Sequence, residues 1–69
     1  MGDELGSRIR TRREALGISL VGLAQMTDLS SDYVEHVELG TVQPSPRDLH
    51  QIASALATTA EELQGHGPR

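Results

Sequence analysis

The sequence contains no cysteine, no tryptophan and no phenylalanine, and its single aromatic residue is Tyr33. Without cysteine there are no disulfides and no thiolate metal sites, a composition that fits a reducing compartment and points to the cytoplasm. Lysine is also missing, so the six basic side chains other than histidine are all arginine. Four of them, Arg8, Arg10, Arg12 and Arg13, crowd together near the start, with Arg47 and Arg69 far from them. Against ten acidic residues they leave a net charge of −4, which opposes indiscriminate attraction to nucleic acid. No apolar run approaches the ~20 residues that cross a bilayer, and no signal peptide is expected.

A chain of 69 residues builds one small domain that buries about 60% of the surface its unfolded form exposes. We expect that domain over residues 1–64 and a disordered tail over 65–69. There is no phosphate-cradling loop, no nucleophile beside a base, and too little core to shape a deep pocket. An enzyme, a cofactor and a small-molecule substrate are therefore not expected. His36, His50 and His66 match no common ligand spacing, so no metal site is expected either.

Helix signals follow one another along the chain and nothing reads as strand, which predicts an all-α bundle of five short helices. Asp3 and Glu4 place negative charge at the first helix start, and Gly17 follows Leu16 as a left-handed stop. Ser19 caps a second helix with an inward face of Leu20, Leu23, Ala24 and Thr27, in which Gly22 is an unexplained local weakness. After a tight turn at Thr27, Asp28 and Leu29, Ser30 caps a third helix that Gly40 ends. Ser45, Pro46 and Asp48 open a fourth, with Leu49, Ile52, Ala53 and Leu56 as its buried stripe. Thr59 with Glu62 forms a capping box that opens the fifth.

Two charges sit on stripes that should be apolar. Leu5, Ile9 and Leu16 recur at helical spacing on the first helix, and Arg13 falls among them. On the third, Glu38 lies one turn beyond Val34 and beside Val37. A lone buried guanidinium or carboxylate costs several kcal/mol, so Arg13 and Glu38 are expected to pair between the two helices.

The segment from Ser19 to Gly40, a short helix, a turn and a second helix, has the layout that places a helix in a DNA major groove. The matching residues are Arg13, Gly17-Ile18-Ser19, Leu23-Ala24, Ser30, Val34, Val37-Glu38, Gly40, Pro44 and Leu56. On these the chain resembles the Cro and repressor-type helix-turn-helix family, also called XRE, over nearly its whole length. The resemblance implies a lambda-repressor-like fold and a bacterial-type regulator that binds double-stranded DNA through its third helix, about residues 31–39.

It also implies that Ser31, Asp32 and His36 face base edges. Helical spacing independently sets Asp32, Glu35, His36 and Leu39 opposite Val34 and Val37, so Glu35 joins the base-facing candidates. Gln43, Arg47, Tyr33 and Arg12 are the candidates for DNA-backbone contact. For Tyr33 the alternative is packing against the turn. For Arg8, Arg10 and Arg12 it is a solvated face paired with Glu4 and Glu14. One short helix spans few base pairs, so a homodimer on half-sites roughly 34 Å apart is expected.

Several positions depart from the family pattern. Leu20 stands where a glutamine usually starts the second helix, Leu39 replaces a common arginine or asparagine, and Thr41, Val42 and Gln43 carry no charge. Leu20, Val21, Leu39 and Val42 support a second reading, a protein-interaction or regulatory module on the same scaffold with weak or no DNA binding.

Overall fold

The computed structural model describes residues 4–65, which form five helices: α1 Glu4–Ala15, α2 Leu20–Thr27, α3 Ser31–Leu39, α4 Pro46–Ala55 and α5 Ala60–Leu63. Asp3, and the expected tail beyond Gly65 with His66 and Arg69, lie outside the described residues. Among those residues no helix is long and apolar enough to cross a membrane.

Each helix after α1 begins on the residue the sequence marks for it. The side-chain oxygens of Ser19, Ser30, Ser45 and Thr59 accept the backbone N–H three residues on, from Gly22, Tyr33, Asp48 and Glu62 respectively. Each bond satisfies one of the donors that a helix start leaves without a partner. The expected capping box at Thr59 is half made, because the Glu62 carboxylate takes the hydroxyl of Thr58 instead of reaching back to the Thr59 N–H.

The stops behave likewise. Gly17 and Gly40 take left-handed backbone at φ 72° and 82°, and Asp28 does so at φ 60° as the cap that closes α2. Gly22 now has a reason. A Cβ there would stand 3.0 Å from the Ser19 hydroxyl that caps α2, a contact tighter than side chains normally accept.

The core gathers Ile9 of α1, Leu23 and Ala24 of α2, Val34 and Val37 of α3, Leu49, Ile52 and Ala53 of α4, Leu56 after it, and Leu63 of α5. Thr27 is buried with them because its hydroxyl donates within its own helix, to the carbonyls of Leu23 and Ala24. Leu20 lies at the edge of this core, half-buried.

Leu16 departs from the expected stripe and is 46% exposed. The helix ends at Ala15, and the turn toward Gly17 carries Leu16 outward, so the 3.6-residue period no longer governs it.

The α1–α3 seam is a close backbone approach. Gly6 is buried there, and a Cβ on it would collide with the backbone carbonyls of Val37 and Glu38. On the same stripe Arg13 grips Glu38 side-on, Nε to Oε2 at 2.7 Å and Nη2 to Oε1 at 3.0 Å, while Nη1 donates to the Ile18 carbonyl at 2.9 Å. The two side chains are 11% and 7% exposed. One guanidinium thus joins α1, the α1–α2 loop and α3. The Glu38 bond, which outweighs burial, raises its pKa, so it stays charged.

Candidate nucleic-acid interface

With Val34, Val37 and Glu38 held inward, the opposite side of α3 is left to solvent. Asp32, Glu35, His36 and Leu39 are all exposed there, Leu39 by 56%, and Ser31 beside them is half-buried. Asp32 occupies the first turn, where the partial positive charge of the helix start favours a carboxylate. His36 is tethered from the other end. Its Nδ1 lies 3.0 Å from the Thr41 hydroxyl oxygen, and the hydroxyl and backbone N–H of Thr41 both approach the His36 carbonyl. The ring is drawn toward the loop after α3, leaving Nε2 as its unengaged nitrogen among the described contacts.

Gln43 is exposed in that loop and Arg47 is exposed at the second position of α4. Neither side chain has a hydrogen-bond partner among the described residues. Arg47 is the one described arginine of which this is true.

Arg12 is bonded within the fold. Its Nε donates to the Leu56 carbonyl at 2.8 Å and its Nη2 to the Ala57 carbonyl at 3.0 Å. Two of its five N–H donors are thereby engaged at the end of α4, which ties the guanidinium to the fold on that side. It does not pair with Glu14, which bonds Arg10 at 3.2 Å. Arg8 reaches toward the Leu63 carbonyl.

Tyr33 is engaged elsewhere than against the turn after α2. Its ring packs against the core edge and its hydroxyl donates to Asp48 Oδ2 at 2.9 Å, tying α3 to the start of α4. Burial, and then the Asp48 carboxylate, raise the tyrosine pKa above its ordinary value.

Of the α1 arginines weighed between phosphate contact and pairing with Glu4 or Glu14, Arg10 makes the pairing, with Glu14. Arg10 lines a shallow groove with Arg13, Leu20, Glu35, Glu38 and Leu39, where α1, the start of α2 and the outer edge of α3 meet. The sequence held a signal for this. Arg10 precedes Arg13 by three residues and so shares its side of α1, whereas Arg12 is two residues from Arg10 and faces almost the opposite way.

Among the described residues no cluster of three or more His, Asp or Glu side chains could hold a metal ion. No buried side-chain polar atom there lacks a partner.

The family model described as "Helix-turn-helix domain" matches residues 4–64. Two curated relatives from two strains of Mycobacterium tuberculosis, each described as an uncharacterized HTH-type transcriptional regulator, are 43% identical over 58 residues. The match covers 84% of this chain but only 41% of each relative, so the chain spans about two fifths of their length.

Among solved structures, the restriction-modification controller protein C.AhdI from Aeromonas hydrophila superposes with a TM-score of 0.86 at 34% identity. That match covers 90% of this chain and 94% of the controller. The DNA-binding domain of the P22 C2 repressor superposes at 0.84 with 28% identity, over 87% of this chain and 79% of that one.

Proposed function

We propose that this chain, which belongs to the helix-turn-helix domain family, is the DNA-binding part of a cytoplasmic transcriptional regulator and inserts α3 into the major groove of double-stranded DNA. One observation carries this reading. The inner side of α3 is fixed by Val34, Val37 and the Arg13–Glu38 pair, and both its ends are capped, while its outer side is left uncovered. A rigid helix with a solvent-facing row at positions 32, 35, 36 and 39 is what a groove of fixed width can receive. The relatives, among them transcriptional regulators and a repressor's DNA-binding domain, support the same reading.

In this reading Ser31, Asp32, Glu35 and His36 face the bases and Gln43 and Arg47 face the sugar-phosphate backbone, with Arg10 as a further cation at the edge of α3. Arg47 combines a guanidinium with the amino end of α4, so both act on one phosphate. Because a single α3 covers few base pairs, two copies on half-sites one helical turn apart, roughly 34 Å, supply the useful specificity.

With most arginines committed internally, phosphate contacts are few, and the slope of log affinity against log salt should be shallow, about −2 for a dimer using Arg47 from each copy. Fluorescence anisotropy with mixed-sequence duplex at low salt tests this. Binding in the range of roughly 10⁻⁴ to 10⁻⁶ M is expected, and Arg47→Ala should weaken it for all sequences alike and flatten the salt slope. No binding at tens of micromolar would remove the reading and leave the apolar Val21 and Leu39, both more than half exposed, as the start of a protein-interaction surface.

A further inference from the structure

The outward side of α3 carries an unusual chemistry for a helix that reads DNA. The segment Ser31–Leu39 contains no arginine, lysine, asparagine or glutamine, and its two exposed ionised side chains, Asp32 and Glu35, can only accept hydrogen bonds. Guanine shows two acceptors to the major groove and thymine shows an acceptor and a methyl group, so a carboxylate has no partner on either. It can bond only an exocyclic amine, N4 of cytosine or N6 of adenine. The adenine amine stands beside the acceptor N7, which repels the second carboxylate oxygen, whereas cytosine has a C–H there.

Three observations single out Asp32 over Glu35. Asp32 lies in the first turn of α3, the end that meets base edges in helix-turn-helix docking. Glu35 lies a turn further along, where it lines a groove beside Arg10 and the Arg13–Glu38 pair and so sits among charges of the α1 side. Asp32 accepts no hydrogen bond among the described residues. Its natural helical partner, His36 four residues on, has its Nδ1 side turned to Thr41.

We propose that Asp32 is the specificity-determining residue of this interface and selects cytosine by accepting from its N4 amine. The inference rests on the DNA-binding reading above and deepens it. Leu39, at the far end of the same row, has the apolar chemistry of a thymine-methyl contact.

The test is selection of bound duplexes from a randomised pool at low salt by the full chain, by Asp32→Asn and by Asp32→Ala. The unmodified chain should enrich cytosine at one position of each half-site, and replacing that base should weaken binding about tenfold. Asp32→Asn, which both donates and accepts, should move the enriched base to adenine, and Asp32→Ala should leave that position without preference. A side chain that only stabilises the helix start would change the melting temperature without moving base preference. If all three proteins bind duplex but cytosine is not enriched, or its enrichment survives in both variants, the role of Asp32 is overturned while DNA binding stands. If the unmodified chain binds no duplex, both fall together.

Discussion

Helix α1 is bonded on two sides by neighbouring arginines, and the two sides differ in kind. On one, Arg13 meets Glu38 in a nearly buried two-point ion pair, at a seam so close that only glycine fits at position 6. On the other, Arg12 lies in the open and donates to the carbonyls of Leu56 and Ala57. Ala57 has a left-handed backbone, φ 57°, a conformation that costs an L-residue about 1–2 kcal/mol. The first seam sets where α3 lies. The second holds together a turn that is not relaxed by itself. Adjacent residues of one type thus divide the work between placing the outward row of α3 and closing the far end of the bundle.

The sharpest break comes from Arg13→Ala. It leaves the Glu38 carboxylate nearly buried without its cation, which should cost about 3 kcal/mol, a large part of the stability of a domain this size. The midpoint of thermal unfolding should fall by roughly 15 °C. Replacing both partners, Arg13→Met with Glu38→Leu, should recover most of the loss. If the double variant melts as low as the single one, the pair is not what fixes this seam.

A smaller effect is expected on the other side. Arg12→Ala should cost about 1 kcal/mol, since these bonds are exposed to water. Ala57→Gly should stabilise by about 0.5–1 kcal/mol, the relief of backbone strain less the entropy glycine adds to the unfolded chain. Arg12→Ala measured in the Ala57→Gly background should then cost less than in the parent, because the turn no longer needs holding. Strict additivity in denaturant melts would separate the two features.

The smallest effect concerns Tyr33, which ties α3 to α4. Its raised pKa means that folding favours the neutral phenol. The stability this gives is complete below about pH 10, the unfolded value, and is lost as pH rises through the higher folded value. As the only tyrosine, it can be followed by tyrosinate absorbance alone. Tyr33→Phe should remove its part of the alkaline loss of stability at a neutral-pH cost of about 1 kcal/mol or less. An unfolded-like titration in the native protein would deny the Asp48 contact.

What was legible in the sequence follows from the range of each interaction. The caps at Ser19, Ser30, Ser45 and Thr59 act over three residues, so local pattern finds them. Arg13 and Glu38 are 25 residues apart, yet both interrupt apolar stripes, and the cost of burying either alone joins them. Arg12 interrupts nothing. Its partners are backbone carbonyls 44 and 45 residues away, which no side-chain pattern marks. Gly6 was silent for a related reason, since a missing side chain has no period. Leu16 escapes its stripe because helical periodicity stops at Ala15, one residue before it. Of the interface, helical spacing gave the outward row of α3, whereas Arg10 at its edge and the Thr41 tether on His36 depend on contacts between or beyond helices.

The division of α3 into a held side and a bare one also bears on how such a protein diversifies. Positions 32, 35, 36 and 39 lie outside the core, so lineages can exchange them at smaller cost to the scaffold than the residues of the seam, and new surface preferences can arise by drift through stable intermediates. The seam at Gly6 and Arg13 has no such freedom, and descendants with quite different outward rows should still inherit it unchanged.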